Sequence, residues 1–205
     1  MLKIYLARHG QDEDNANGIL NGQRDKPLTG IGVSQANQLA EKIKEAGLKF
    51  NVIYSSPLQR TFKTAQIISD ILNLSEPIKL NDLIERDFGV MTSKKIVDIE
   101  KLCAPEILKT NTITYFLTPQ GAETFPQLFS RASRVLDFIN REYKDGSILL
   151  VTSSDIGKMI YAKYYNLDWL EILKMFHFGN SELLLLAQDS KPEDSHVFKI
   201  RQYNH

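Results

Sequence analysis

A single cysteine, Cys103, excludes an intrachain disulfide and has no partner at a zinc-ligand spacing, which fits a reducing compartment. Surplus charge is missing as well. The 25 basic residues cancel the 25 acidic ones, which argues against a generally basic nucleic-acid binder. No apolar run approaches membrane-spanning length, and the amino-terminal apolar stretch is far too short for the core of a signal peptide. Internal repeats, low-complexity tracts and linkers are absent too. These absences lead us to expect a cytoplasmic protein that engages neither nucleic acid nor membrane and forms one domain over residues 1–205; they say nothing of its oligomeric state. With 205 residues, of which 42% are hydrophobic and 24% charged, the chain can bury a real core.

What is present starts with Lys3–Gly10, KIYLARHG. Leu2, Ile4 and Leu6 alternate with Lys3 and Tyr5 at the period of a strand, and Arg8-His9-Gly10 follows at the carboxyl end, where open α/β sheets place their ligand crevices. A planar guanidinium grips a phosphoryl group through two bonds, and an imidazole nitrogen can be phosphorylated. Gly10 leaves room for a turn or for an anion against the main chain.

Residues 11–21 are polar and read as a loop. Asp12, Asp14 and Gly18 follow the start of a calcium loop, but Gln23 stands where the bidentate glutamate belongs, so no metal is expected there. Thr29 suits a helix N-cap, ahead of Val33, Ala36, Leu39, Ala40 and Ile43 at helical spacing, with Gly47 as the stop. Phe50–Tyr54 reads as a short buried strand, and Pro57 suits the first position of the helix that follows. That helix carries Leu58, Phe62, Ala65, Ile68 and Leu72 on its apolar side. Arg60, near its amino end, opposes the helix dipole, and a bound anion would give it a reason to be there.

Ile78–Leu83 reads as a strand leading into Glu85 and Arg86. Met91–Thr118 is broken by Pro105, and the stretch 91–120 has room for a small cap or insertion over the sheet edge. A long amphipathic helix begins at Thr124 and carries Leu128, Phe129, Ala132, Val135, Leu136 and Ile139. Ser147–Thr152 is apolar enough for a central parallel strand; a helix with Met159, Ile160 and Tyr164 follows, and Glu182–Ala187 and Val197–Tyr203 read as closing strands, the last at a sheet edge. The expected fold is α/β with three layers: a mainly parallel central sheet covered by helices on both faces.

Five blocks taken together resemble the histidine phosphatase superfamily, which includes cofactor-dependent phosphoglycerate mutases, over most of the chain. Arg8-His9-Gly10 with Asn15 is similar to the opening signature, and Asp25, Pro27-Leu28-Thr29, Gly32 and Gln35-Ala36 to the second block. Ser55-Ser56-Pro57-Leu58-Gln59-Arg60 with Thr64-Ala65 resembles the third. Leu83, Glu85 and Phe88-Gly89 resemble the acid-bearing segment, and Gly121 with Glu123-Thr124 a further block. The resemblance implies a phosphoglycerate mutase-like fold and a small phosphorylated metabolite as partner, with no metal or other cofactor. It implies that His9 is the nucleophile and Glu85 the proton donor and acceptor. It also implies that Arg8, Asn15 and Arg60 bind the phosphoryl oxygens.

One position departs from the pattern. The family carries a second histidine after the apolar run of the central strand, whereas Ser153-Ser154 stands here. A serine hydroxyl still donates a hydrogen bond, but it is shorter and carries no charge. The expectation is a phosphomonoester hydrolase with weakened activity and Ser153 among the phosphate-binding residues. The alternatives are a catalytically silent phosphate-ester sensor or interaction module, or a phosphoglycerate mutase; the chain is shorter than mutases of the family usually run, which favours hydrolysis. His177, between two phenylalanines, reads as a packed residue rather than a substitute for the lost imidazole. Arg24, Lys26, Arg86, Lys94 and Lys95 fall in loops that either face the crevice, suiting an anionic substrate beyond its phosphate, or form a solvated basic face.

Overall fold

The computed structural model describes residues 1–198 and 201–202. Strand β1 (Leu2–Arg8) leads through the short helix α1 (Glu13–Ala16) to α2 (Gly30–Glu45), β2 (Val52–Ser55), α3 (Gln59–Leu72) and β3 (Ile78–Lys79). Then come α4 (Ile99–Cys103) and the hairpin β4 (Ile107–Lys109) and β5 (Thr114–Phe116). Helix α5 (Phe125–Glu142), β6 (Gly146–Thr152), α6 (Ser154–Tyr164), α7 (Trp169–Met175), β7 (Leu183–Leu186) and β8 (His196–Phe198) complete the described order. The main sheet runs β3-β2-β6-β1-β7-β8; β7 and β8 are antiparallel additions to a parallel core.

Both faces of this sheet are covered, and β1 shows why its sequence is apolar at both parities. Ile4 and Leu6 join Ile148 and Leu150 beneath α5 and α6, while Tyr5 and Ala7 join Leu149 and Val151 beneath α2 and α3. The alternation of Lys3 and Tyr5 with apolar neighbours therefore does not mark a wet face: Tyr5 is buried edge-on against Phe50.

Local chemistry explains the element starts. Thr29 accepts from Gly32 N at the head of α2, and Thr124 with Gln127 forms a capping box at the head of α5. Three expectations need correction. Helix α3 begins at Gln59 with Leu58 as its N-cap, because Asp25 Oδ1 accepts from Gln59 N; Pro57 stays outside. The strand expected over Ile78–Leu83 ends at Lys79, and Asn81–Leu83 tightens into a 3₁₀ turn. Val33 is exposed, off the apolar stripe of α2. At the carboxyl end, residues 199, 200 and 203 of the expected Val197–Tyr203 strand lie outside the described residues.

Gly10 and Gly32 hold the loop after β1 against the head of α2. A Cβ on Gly10 would stand 2.2 Å from the Gly32 carbonyl oxygen, and one on Gly32 would stand 2.0 Å from that of Gln11. The room a side chain would need at Gly10 is thus taken up by backbone. Gly32→Ala is expected to lower stability by about 1–3 kcal/mol or more, since the obstacle is main chain that cannot rotate away. A reduced urea midpoint at unchanged slope would show it.

Candidate active site

The register of the parallel strands brings distant residues to one edge. Arg8 pairs with Thr152 and Ser55 with Val151, so the residues that follow β1, β2 and β6 emerge side by side. The His9 amide donates to Thr152 O at 3.0 Å, which sets the start of the β1 loop beside Ser153. Asn180 Nδ2 donates to His9 O at 2.9 Å, and Thr64 Oγ1 of α3 accepts from Gly10 N at 3.2 Å.

His9 is only 1% exposed. Its Nδ1 lies 2.7 Å from Gly10 O, a carbonyl that can only accept, so Nδ1 carries the proton and Nε2 keeps its lone pair. Burial drives its pKa well below the usual histidine value, and the charges of Arg60 and Arg8 push it further the same way. The ring is therefore neutral, which is the form a nitrogen nucleophile needs.

The two arginines are placed differently. Arg8 donates through one terminal nitrogen to Phe178 O at 2.6 Å, while its buried Nε has no hydrogen-bond partner among the described residues. Arg60 is fully buried, and its terminal nitrogens reach the carbonyls of Arg24 and Gly22 at 2.6 and 2.7 Å. Its Nε is 3.3 Å from Asp12 Oδ2. The anion that answers Arg60 at the head of α3 is thus in part the protein's own, and not only a ligand as its position in the sequence suggested. Asp12 also accepts from Asn15 N and from Asn21 Nδ2, both at 2.7 Å, while Asp14 pairs with Arg24. An arginine thus engages each of these aspartates. Among the described residues there is no group of three or more His, Cys, Asp or Glu side chains placed to hold a metal.

Glu85 takes over the cap of a helix. Its two carboxylate oxygens accept from Asp155 N at 3.2 Å and Ile156 N at 3.3 Å, the second and third residues of α6, and from Arg86 N at 2.8 Å. Ser153 occupies the N-cap position but makes no capping bond, because those amides are already taken. Its hydroxyl is buried and has no hydrogen-bond partner among the described residues. Burial and then the neighbouring Asp155 charge raise the Glu85 pKa, against the opposing pull of the amide bonds and Arg60. Behind it, Arg131 donates to the carbonyls of Asp82 at 2.9 Å and of Ile84, and pairs with Glu123 at 2.5 Å, holding the 82–85 turn in place.

Arg8, Asn15 and Glu85 line one cleft of about 550 Å³, together with Ser154 and Asp155. Asn15 Oδ1 accepts from Asn180 Nδ2 at 3.2 Å, which leaves its amide nitrogen as the donor. His9, Arg60 and Ser153 lie in the buried layer next to these lining groups. Of the five loop cations, only Arg86 lines this cleft. It is buried, paired with Asp155 at 2.9 Å and covered by the Phe116, Phe125 and Phe88 rings, so it belongs to no solvated basic face. Arg24 and Lys26 pair with Asp14 and Glu13, and Lys94 lines a separate cavity. His177 also lines the cleft. In the sequence Asp12 stands out only as a candidate calcium ligand, and Arg131, Asp155 and Asn180 do not stand out as site residues; each acts through a contact more than 30 residues away.

The sequence model of the histidine phosphatase superfamily (branch 1) matches residues 4–198. The chain belongs to the histidine phosphatase superfamily. Its relatives within the superfamily include both mutases and phosphatases. A 2,3-bisphosphoglycerate-dependent phosphoglycerate mutase of Rhizobium etli is 31% identical over 144 residues, covering 69% of this chain and 68% of the relative. Phosphoserine phosphatase 1 of Hydrogenobacter thermophilus is 27% identical over 179 residues, 87% of this chain and 82% of the relative. Among solved structures, a mycobacterial glucosyl-3-phosphoglycerate phosphatase superposes with a TM-score of 0.78 at 20% identity, covering 90% of this chain and 92% of that one. At that identity the likeness speaks to the three-layer fold alone. Among the described residues no helix is long and apolar enough to cross a membrane.

Proposed function

We propose that this chain hydrolyses phosphomonoesters of small metabolites through a phosphohistidine at His9, at a rate held down by Ser153 in the place of a second histidine. The observation that carries this reading is the buried, neutral His9, its Nδ1 bonded to Gly10 O and two arginines beside it. Nε2 attacks phosphorus, and the P–O bond to the alcohol breaks. The departing oxygen takes its electron pair and the proton of Glu85. Water then attacks the phosphohistidine; the P–N bond breaks, Glu85 regains a proton, and orthophosphate leaves with His9 neutral again. Arg8, Arg60 and Asn15 hold the non-bridging oxygens, and positioning and electrostatics of this kind carry most of the catalysis in phosphoryl transfer. Ser153 adds one short neutral donor. The stretch 91–120 serves as a cap that completes the cleft within a single domain.

A second reading has its own support. Asp12 already answers Arg60, and a neutral Ser153 supplies no charge, which together favour a phosphate-ester binder without turnover. Turnover of p-nitrophenyl phosphate separates the two. The hydrolase reading expects slow release of nitrophenol that falls to background in His9→Ala; release unaffected by that substitution would contradict it, and no release at all would favour the silent binder.

A further inference from the structure

We infer that the alcohol half of the substrate is apolar or aromatic and carries no second anionic group. This rests on the reading of the Arg8–Glu85 end of the cleft as a phosphomonoester site. The same cleft is also lined by Ile19, Ile96, Val97, Ile113 and Tyr115, contributed by the loop after α1, the approach to α4 and the β4–β5 hairpin. Ile96 and Val97 are 48% and 82% exposed, so the cavity mouth offers apolar surface that the fold itself leaves uncovered. One exposed aliphatic is ordinary, but several gathered along one cleft next to an anion site mark a place for an apolar group.

Charge points the same way. The acidic groups lining the cleft are Glu85, Glu100 and Asp155, and the guanidinium groups are Arg8 and Arg86. Arg8 is committed to the phosphoryl end, and Arg86 is paired with Asp155 behind its aromatic rings. The acids are themselves engaged, Asp155 by Arg86 and Glu100 by Lys109, so a carboxylate or second phosphate on the substrate would find neither guanidinium free to receive it. An alkyl or aryl group needs no such partner and gains by burial. The cleft, at about 550 Å³, falls within the range of roughly 300–1,000 Å³ that houses drug-sized ligands.

Titration calorimetry on the full chain carrying His9→Ala, which prevents consumption of the ester, tests the inference; His9→Asn replaces it if the alanine chain is insoluble. The probes are inorganic phosphate, methyl, butyl and hexyl phosphate, and 3-phosphoglycerate. Affinity is expected to rise about two- to fourfold per methylene, at least about thirtyfold from methyl to hexyl phosphate. 3-Phosphoglycerate should bind within a few-fold of inorganic phosphate. Val97→Lys, at an exposed position, should narrow the preference for hexyl phosphate over 3-phosphoglycerate at least fivefold. If 3-phosphoglycerate binds as tightly as hexyl phosphate while inorganic phosphate still binds, the apolar assignment is overturned and the phosphate site stands. If neither phosphate nor any ester binds, the phosphomonoester reading itself falls and takes this inference with it.

Discussion

Ser153→His is expected to speed the hydrolysis of a phosphomonoester about a hundred- to a thousandfold, the usual worth of one preorganised donor to a developing oxyanion. Position 153 stands beside the start of the loop that carries His9. It follows β6, one residue past the Arg8–Thr152 pair, and the His9 amide bonds to Thr152 O. Its present hydroxyl is neither capping α6 nor bonded elsewhere among the described residues, so its replacement breaks no existing hydrogen bond. Imidazole reaches further than a hydroxyl and can carry positive charge. Ser153→Asn, longer than serine but neutral, should fall in between. Because the site is buried, a thermal melt must accompany the kinetics: a folded Ser153→His chain without any gain would mean that position 153 does not face the transferring phosphoryl group.

Glu85→Gln is expected to cut the enzyme-phosphorylating half-reaction of an alkyl phosphate about 10²- to 10⁴-fold, the range for a positioned general acid. An aryl phosphate with an acidic phenol needs little protonation as it leaves and should lose tenfold or less. The pH profile gives the second readout. His9 must be neutral, and its pKa lies well below the usual histidine value, so activity falls only when the medium is acid enough to protonate it. Glu85 must hold its proton, and its pKa is raised, so activity declines as pH rises through that raised value. Glutamine has no proton to lose over this range, and the alkaline limb should vanish in the variant. Glutamine also keeps an oxygen for the α6 amides, whereas Glu85→Ala leaves them uncapped and should cost stability of about 0.5–2 kcal/mol besides activity.

Much of the frame was legible in the chain because its signals are local. The apolar run 147–152, the stripe of α5 and the Thr29 cap each depend on neighbours within a few residues, and the elements formed where those signals lie. Signals that depend on tertiary contacts were not legible. Leu58 and Gln59, rather than Pro57, begin α3 because Asp25 arrives from 34 residues away to accept from the Gln59 amide. Gly10 suggested a turn or an anion against the main chain, and what takes up the room of its missing side chain is the backbone at the head of α2. Arg86 sits beside Glu85 in sequence but pairs with Asp155 across 69 residues, and three phenylalanines from separate elements enclose it. Asp12 had the look of a failed metal ligand and is instead the buried counter-charge of Arg60. The motif residues could be named from the chain; the side chains that set their charge and orientation required the fold.

The most direct test of the account is to mix the protein with a radiolabelled phosphomonoester, quench rapidly in alkali and ask which residue carries the label. An alkali-stable, acid-labile phosphate on His9, absent from His9→Ala, is expected. Label on Ser153 or any other hydroxyl, or turnover with no labelled histidine at any quench time, would contradict it.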